Sequence, residues 1–386
     1  MILSKNRNIL VFFTLGVSLK IWERSGILLR EIKLYQLLID KGYKVSFLTF
    51  GDKTDFDYED ILGEISVYPI FYYFKNTPNK VMRLISILLF ILRKKNIFSS
   101  SIYLTHQMRG GLLAVISKLL YKNPLIVRCG HEWLKNSIAD SVSVINKIKV
   151  FIIGYLNEYL VYNFSDHIIL SSNSDAHFVK KIFPINKSKI SIIRNYIDTD
   201  LFSPPFNTKG VSVHKKSILY IGRIIKRKNI ASVIKALKGT GYTLNIIGEG
   251  PEQEALELLA KSENVKVSFL GIILNNELPM AINKHQIFIQ PSFYENSPKT
   301  LLEAMSCGKS VIATDVEGNA ELINHNVNGL LCEVDHHSIN RTFLKLISDE
   351  KLCYKIGENA RRFIELNCSL DVILPKYQKI INNISN

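Results

Sequence analysis

The sequence predicts two α/β domains, each built on a parallel sheet with helices on both faces. Apolar, strand-like runs alternate with amphipathic segments of helix length along nearly the whole chain. With 386 residues the chain exceeds one ordinary core, which suggests two domains of roughly 150 to 200 residues each. Between the halves lies RNYIDTDLFSPPFNTKG, residues 194–210, whose polar side chains, two prolines and final glycine indicate a linker.

The clearest strand segments are short, apolar and bounded by turn residues. In the first half they are NILVFFTL, KVSFLTF, SIYLTH, LIVRC and HIILSS, starting at residues 8, 44, 101, 125 and 167. In the second half they are SILYIG, TLNIIG, VKVSFLG, IFIQPS, SVIAT and GLLCE, starting at residues 217, 243, 265, 287, 310 and 329. The first segment follows Lys5 and Arg7 like the apolar part of a secretion signal. Because no small-residue cleavage site follows it, we interpret it as a buried strand.

The chain is basic and poor in cysteine motifs. Lysine and arginine outnumber aspartate and glutamate 49 to 34, a net charge of +15, so the expected partners include a polyanion, an anionic membrane and a phosphorylated small molecule. Nucleic acid is not expected, because the sequence has no helix-turn-helix signature, zinc-finger spacing or aromatic RNA-binding box. Five scattered cysteines without a CxxC pair indicate neither a zinc site nor a disulfide framework, and a reducing cytoplasm fits best.

One apolar segment raises the question of a membrane. No run reaches the ~20 residues that span a bilayer, and KVMRLISILLFILRKK, residues 80–95, comes nearest. At helical spacing Lys80, Arg83, Ser86 and Arg93 share a side, as they would in a helix lying on an anionic membrane. A core helix with solvated ends explains the pattern equally well, so the sequence leaves both alternatives open.

The stretch FYENSPKTLLEAMSCGKSVIAT, residues 293–314, carries two glutamates around a Ser-Pro step that follows a predicted strand. Ser297 is predicted to be the N-cap of a helix and Pro298 its first residue. The start of such a helix offers N–H groups and a positive dipole end, which bind phosphate without a metal. Glu295 in the loop and Glu303 in the second helical turn suit paired hydroxyls, such as those of ribose or a hexose. The pattern therefore indicates a nucleotide-sugar.

This stretch resembles the signature of glycosyltransferase family 4, whose members are retaining enzymes of the GT-B fold. The similarity is strongest over residues 190–335, where RNYIDTDLFSP resembles the family's linker, and ILYIGRIIKRKNI and LNIIGEGPEQEAL resemble its first two C-terminal strands with their loops. The resemblance implies two Rossmann-like domains that face a central cleft. Residues 1–200 would bind the acceptor and residues 201–370 the nucleotide-sugar, and a helix over residues 371–386 would pack back on the first domain.

Matched position by position, the resemblance implies that Arg223 and Lys228 contact the donor diphosphate and that Gly222 is among the donor-binding residues. Two fixed cations and helix N–H groups stabilise the charge on a departing nucleotide, so neither a metal nor another cofactor is implied. Glu303 matches the residue that binds the ribose hydroxyls, and Glu295 the one that binds the transferred sugar. The residues that would line the phosphate or sugar are Asn296, Ser297, Pro298, Lys299 and Thr300.

The resemblance is thinner in the first half of the chain. SGILLREIKLYQLLIDKGYKVSFLT, residues 25–49, resembles the opening helix of the family, and Gly26 falls on the second of two loop glycines that lie close to the substrate. Ser25 replaces the first glycine. Since glycine permits the close approach of backbone to phosphate or acceptor, the detailed contacts of this loop stay open.

A histidine follows the strand LIVRC. LIVRCGHEW, residues 125–133, resembles the segment that carries the family's cleft histidine, which would be His131. Such a histidine would hydrogen-bond the donor sugar or help to pass a proton, and we count it among the catalytic candidates with Arg223, Lys228 and Glu295. A histidine with a structural role explains the residue nearly as well. Arg128 and Glu132 flank it and are candidates for contact with the acceptor.

Together these features imply a metal-independent hexosyltransferase. It would move a sugar from a nucleotide-diphosphate sugar, UDP-linked in preference to GDP-linked, to a hydroxyl of a glycan or lipid-linked acceptor in polysaccharide assembly at a cell envelope. We expect it in the cytoplasm, in peripheral contact with the inner face of the cell membrane. Two alternatives remain: a nucleotide-sugar epimerase of the same fold, and a basic, non-catalytic protein that binds membrane or nucleic acid.

Overall fold

The computed structural model describes residues 7–74, 76–77, 79–99, 101–130, 132–140, 143–205 and 216–385. The chain forms two compact units, of which the first comprises Met1–Ile193 with Leu374–Asn386 and the second comprises Arg194–Ile373. The divisions thus fall after residues 193 and 373, whereas the predicted boundaries are residues 200 and 370. Within the first unit, Tyr43 donates a hydrogen bond to the Asn382 side chain (3.0 Å).

The first unit is a parallel sheet with helices. Its strands are β1 (Asn8–Phe12), β2 (Lys44–Thr49), β3 (Ser66–Pro69), β4 (Ile102–Thr105), β5 (Leu125–Cys129), β6 (His167–Leu170) and β7 (Ile190–Ile192). Its helices are α1 (Leu19–Arg24), α2 (Leu28–Asp40), α3 (Glu59–Leu62), α4 (Ile70–Tyr73), α5 (Lys80–Arg93), α6 (Lys95–Ser99), α7 (Gly111–Tyr121), α8 (Trp133–Asp140), α9 (Val144–Phe164) and α10 (Asn173–Ile182). The strand order is β3-β2-β1-β4-β5-β6-β7. β4 and β5 are buried at every position, as strands covered on both faces must be.

The second unit repeats this plan. Its strands are β8 (Ser217–Ile221), β9 (Thr243–Ile247), β10 (Lys266–Phe269), β11 (Ile287–Gln290), β12 (Ser310–Thr314) and β13 (Leu330–Cys332). Its helices are α11 (Ile230–Ala236), α12 (Gln253–Ser262), α13 (Leu278–Asn283), α14 (Lys299–Ser306), α15 (Glu317–Ala320), α16 (His336–Ile347) and α17 (Glu350–Asn367), and α18 (Leu370–Ile384) runs on into the residues of the first unit. The strand order is β10-β9-β8-β11-β12-β13.

Each sheet reverses its strand order once, between β1 and β4 in the first unit and between β8 and β11 in the second. All the pairings between these strands are parallel, as the pairs β1/β4 and β11/β8 illustrate. The predicted fold class, α/β with two Rossmann-like domains, is therefore confirmed. In such sheets ligands bind beyond the carboxyl ends of the strands at the reversal point, which draws attention to the loops after β8 and β11.

The helix after β11 begins one residue later than predicted. α14 starts at Lys299, and Pro298, with φ −69° and ψ 111°, takes the N-cap position instead of Ser297. The proline ring fixes φ, but ψ is extended, so Pro298 stands outside the helix. This arrangement lets the Ser297 carbonyl accept a hydrogen bond from Asn195 Nδ2 (3.0 Å), and the Ser297 hydroxyl has no hydrogen-bond partner among the described residues.

The segment predicted to be either a core or a membrane helix forms α5. Ile87, Phe90 and Ile91 are buried, so one side of α5 belongs to the core. Other apolar side chains of α5 are exposed: Val81, Met82, Leu84, Ile85, Leu89 and Leu92. The interpretation of α5 as a core helix therefore explains its buried side but not its exposed apolar side chains. Among the described residues, no helix combines the length and apolar character needed to cross a membrane.

Candidate functional site

Loops that follow four strands of the second sheet, β8, β9, β11 and β12, come together at its carboxyl edge. Main-chain hydrogen bonds join them in pairs: Gly222 N to Ile247 O (2.9 Å), Ile224 N to Glu249 O (2.9 Å), Phe293 N to Arg227 O (2.9 Å) and Gly318 N to Glu295 O (3.1 Å). The loops are thus fixed to one another by backbone as well as by side chains. This edge also lies at the reversal point of the sheet.

Glycine is required where these loops touch. Gly248 adopts φ +133°, and a Cβ atom there would lie 2.1 Å from the carbonyl oxygen of Gly222. A Cβ on Gly318 would lie 2.3 Å from the carbonyl oxygen of Asn296. Both distances are far inside van der Waals contact, so a larger residue would push the loops apart.

Glu295 is held by three donors that converge on one oxygen. Lys228 forms an ion pair with Glu295 Oε1, and both side chains are largely buried. Gln290 Nε2 and Ser292 Oγ donate to the same oxygen, each at 2.7 Å. Burial acts to raise the pKa of Glu295, but the Lys228 charge and the hydrogen bonds from Lys228 and Ser292 outweigh it, so the pKa is lowered. Glu295 is therefore ionised at neutral pH.

Glu303 lies inside the second unit and not on an exposed helix surface. It occupies the second turn of α14 and is 0% exposed. Asn275, from the loop after β10, donates to Glu303 Oε1 (3.3 Å). A buried carboxylate at this point is costly unless polar groups surround it, which is typical of a site and not of a helix surface.

The remaining predicted residues of the second unit surround the start of α14 or follow β8. Arg223 is exposed directly after Gly222, and within the described residues it makes no ion pair, while its carbonyl accepts a hydrogen bond from Tyr220 OH (3.1 Å). Asn296 is 4% exposed, and Thr300 is half-buried. Lys299 Nζ lies 5.6 Å from the centre of the Tyr196 ring. The structure therefore brings the predicted residues after β8 and β11 to one edge.

In the first unit, Gly26 lies in the turn between α1 and α2. It adopts φ +67°, and its N–H donates to Glu23 O (2.8 Å), as expected of a glycine that ends a helix. Its contact with substrate stays a prediction. The loop directly after β1 contains Gly16, at φ +81°, which we did not single out although it follows a predicted strand.

His131 lies outside the described residues, and its catalytic role stays a prediction. Arg128, at the end of β5, is 5% exposed and donates from Nη1 to His106 O (3.1 Å). Glu132 is 0% exposed. In this structure Glu132 is therefore a buried carboxyl group, and its contact with an acceptor stays a prediction.

The reversal point of the first sheet carries a histidine that sequence reasoning missed. His106 directly follows β4 and is 5% exposed. Its Nε2 lies 3.5 Å from Glu31 Oε2, and its Nδ1 lies 3.2 Å from Tyr35 OH. The Trp22 ring lies 4.7 Å from the His106 ring. Its place as the last residue of the predicted strand SIYLTH is a usable signal, because sheets of this type bind ligands at the carboxyl ends of their strands.

A group of three buried acids lies elsewhere in the first unit. Glu132, Glu158 and Asp175 are each 0% exposed. Burial, reinforced by the hydrogen bond and the charge of Glu132, raises the pKa of Glu158 to about 11. The backbone N–H of Leu134 donates to Glu158 Oε1 (3.0 Å). Glu158 is thus neutral in the folded chain over the physiological pH range.

Comparison with known proteins covers both units. The family model "Glycosyl transferases group 1" matches residues 206–363, and the model "Glycosyltransferase Family 4" matches residues 32–201. The UDP-Gal:alpha-D-GlcNAc-diphosphoundecaprenol alpha-1,3-galactosyltransferase of Escherichia coli is 24% identical over 280 residues, 67% of this chain and 69% of that protein. The N,N'-diacetylbacillosaminyl-diphospho-undecaprenol alpha-1,3-N-acetylgalactosaminyltransferase of Campylobacter jejuni is 25% identical over 291 residues, 71% of this chain and 74% of that protein.

Solved structures share the fold over nearly the full chain. A glycosyltransferase from Rickettsia africae superposes with a TM-score of 0.76 at 17% identity, covering 99% of each chain. The Anabaena protein HepE, solved in complex with UDP, superposes with a TM-score of 0.76 at 18% identity, covering 97% of this chain and 100% of that one. At these identities the likeness establishes the architecture.

Proposed function

The chain belongs to the group 1 glycosyltransferases, and its first half matches the family 4 model. We propose that it transfers a sugar from a nucleotide-diphosphate sugar to a hydroxyl of a glycan or lipid-linked acceptor. The observation that carries this proposal is the collection of polar groups at the carboxyl edge of the second sheet. They are Arg223, Lys228, Glu295, Glu303 and the start of α14. Cations and helix N–H groups suit a diphosphate, and carboxylates suit sugar hydroxyls.

Each side chain has a proposed task. Arg223 is exposed after a glycine, and its planar guanidinium matches phosphate oxygens in pairs. Lys228 and the first N–H groups of α14 add positive charge, so we expect the donor to bind without a metal ion. Glu303 accepts hydrogen bonds from the ribose hydroxyls and Glu295 from those of the transferred sugar. Gly222 and residues 296–300 line the phosphate or the sugar.

We propose that the transfer retains the configuration of the sugar. The departing diphosphate, held by Arg223 and Lys228, helps to deprotonate the incoming hydroxyl on the same face of the sugar. His131 assists by contact with the donor sugar or by passing a proton. We assign no carboxylate as a covalent nucleophile, because none of the candidates is placed for that role by the sequence.

The relatives suggest the nucleotide and the acceptor. The Escherichia coli relative is named for UDP-galactose, and both relatives are named for sugars linked to diphosphoundecaprenol. We therefore propose a UDP-linked donor and a lipid-linked diphosphate acceptor, used in envelope polysaccharide assembly. We propose that the reaction takes place at the cytoplasmic face of the membrane, and we expect no nucleic acid partner.

We also propose that α5 contacts this membrane. It exposes apolar side chains such as Val81 and Leu92, and basic residues follow at its end. Replacing Arg83, Arg93 and Lys95 by glutamate should weaken binding of the full chain to vesicles that contain anionic lipid. Unchanged partitioning of this variant would contradict the contact.

The experiment that tests the donor site is thermal stabilisation of the full chain by UDP, GDP and their sugars, with EDTA or with magnesium. A ligand that binds only the folded chain raises its melting temperature. We expect UDP compounds to stabilise the wild type equally with and without metal. Arg223→Ala should abolish the shift, and Glu303→Gln should reduce it while keeping the shape of the buried side chain.

Lys226→Ala serves as the matched control, because Lys226 is an exposed cation on the same loop as Arg223. No shift with any nucleotide, or equal shifts in all variants, would overturn the proposed donor site. A shift that needs magnesium would overturn metal independence alone. Conversion of the donor sugar without any acceptor would instead indicate an epimerase.

A further inference from the structure

The N-terminal half of α9 carries an exposed apolar surface. Every described side chain from residue 145 to residue 153 is exposed except Val150, which is half-buried. The large apolar side chains here and on the next turn are exposed to 66% for Ile145, 54% for Ile148, 42% for Phe151, 60% for Ile152, 68% for Ile153 and 58% for Leu156. Single exposed apolar residues are common on proteins, but six within twelve residues form a contiguous patch that calls for a partner.

The second half of α9 is firmly anchored in the first unit. A Cβ atom on Gly154 would lie 2.6 Å from the Trp133 ring, so α9 packs closely against α8 at this point. Further along, Glu158, Val161 and Tyr162 are 0% exposed. The exposed half therefore continues a well-packed helix, and over nine residues it extends for about 14 Å.

The sequence that contains this patch is basic, and so is the first unit as a whole. Residues 141–157 contain Lys147 and Lys149 but no aspartate or glutamate. Residues 65–131 contain ten lysines and arginines and again no aspartate or glutamate. The residues of the first unit hold 28 lysines and arginines against 14 aspartates and glutamates, a net charge of +14. Those of the second unit hold 21 against 20, a net charge of +1.

We infer that the N-terminal half of α9 (residues 145–156) lies in the headgroup region of an anionic lipid bilayer. Its apolar side chains enter the boundary of the acyl chains, and Lys147 and Lys149 contact lipid phosphates, as in interfacial helices. The acid-free sequence favours this occupant over a second copy of the chain, because a symmetric contact would bring like charges together. The inference rests on the membrane contact in the proposed function and deepens it by naming α9 as a contact in addition to α5, whereas donor binding in the second unit does not depend on it.

The test is flotation of the full chain with vesicles of phosphatidylcholine alone or with 30% phosphatidylglycerol, without nucleotide. We expect the wild type to float with the anionic vesicles, and Ile148→Glu with Ile152→Glu to reduce the bound fraction at least tenfold. The matched control is Leu258→Glu with Leu366→Glu, two substitutions at residues of the second unit that are each 63% exposed. This control should float like the wild type.

A second pair of substitutions separates charge from apolar contact. Lys147→Ala with Lys149→Ala should weaken flotation severalfold at low salt and less at high salt, because screening shortens electrostatic attraction. Equal flotation of the wild type and both α9 variants would overturn the inference. So would a wild-type dimer in sedimentation that Ile148→Glu with Ile152→Glu dissociates without any change in flotation. Unaltered circular dichroism and unaltered UDP stabilisation would show that the variants are folded.

Discussion

Glu295 in the second unit and Glu158 in the first are both removed from solvent, yet their ionisation differs. Glu295 is 9% exposed and Glu158 is 0% exposed, so burial alone would make both neutral. Glu295 shares an ion pair with Lys228, and its pKa is lowered. Glu158 has another buried acid, Glu132, as its neighbour, and its pKa is raised. The partner, and not the depth of burial, decides which carboxyl group carries charge.

The difference also separates two uses of a buried acid. The ionised Glu295 lies at the edge of a sheet where four loops meet, with cations and hydroxyl donors around it. The neutral Glu158 lies among packed side chains of α8 and α9, where it accepts a main-chain hydrogen bond from Leu134. A charge held at a sheet edge is available to a ligand, whereas a neutral acid in a core serves packing.

The largest effect should come from removing the cation. Lys228→Ala leaves Glu295 buried without its ion pair, and breaking such a pair costs about 3–5 kcal/mol of unfolding free energy. The pKa of Glu295 should then rise, so the loss should be smaller at pH 5 than at pH 8. Urea denaturation at both pH values measures this. Lys226→Ala, on the exposed side of the same loop, should cost little, and equal losses in the two variants would contradict the comparison.

The second effect tests the neutral acid. The pKa of Glu158 is raised in the folded state. Its contribution to the free energy of unfolding is therefore present at low pH and is lost as the pH rises above the pKa of the unfolded chain, near 4.5. Glu158→Gln removes this dependence and keeps the acceptor for Leu134 N. Relative to wild type, the free energy of unfolding of the variant should rise by about 1–4 kcal/mol as the pH increases from 5 to 8. Glu257→Gln, at an exposed position of α12, is the control and should show no such trend.

The smallest effect concerns the backbone that positions Glu295. Gly318→Ala would place a methyl group against the Asn296 carbonyl, and relieving the clash should cost about 1–3 kcal/mol. Because Gly318 N also bonds to Glu295 O, the shift should weaken the ion pair with Lys228. Thermal unfolding measures the loss. If Gly318→Ala unfolds at the wild-type temperature, the loop accommodates the methyl group, and the close approach of Gly318 to the Asn296 carbonyl is disproved.

The sequence predicted every strand of the second sheet, whereas it predicted the strands of the first sheet only between its two edges. All the strands between the edges of both sheets lie within predicted segments, because apolar runs buried on both faces are distinct in sequence. β3 and β7 were missed. They are edge strands of four and three residues with half-exposed side chains, such as Tyr68 and Ser191, so they lack a continuous apolar run.

The candidate site was predictable only where its residues are close in sequence. The helix after β11 and the motif around Glu295 and Glu303 follow from local patterns, whereas the ion pair with Lys228 joins residues 67 positions apart. The contact between His106 and Glu31, and the burial of Glu132 beside Glu158, likewise depend on tertiary packing that no spacing reveals. The prediction that Ser297 is the N-cap of α14 is wrong for another reason: whether Ser297 or Pro298 takes that position depends on the ψ angle of Pro298 alone.

The ion pair between Lys228 and Glu295 means that a ligand of Lys228 competes with a side chain of the protein itself. An anion that takes Lys228 as its partner must displace a carboxylate that already holds it, so the observed affinity is the difference between two attractions. The displaced carboxylate then needs new donors, and sugar hydroxyls are of that kind. A ligand that brings both a diphosphate and a sugar would satisfy both halves of the broken pair, whereas a bare phosphate would satisfy only one. Such an exchange would make the site selective for whole ligands over their fragments.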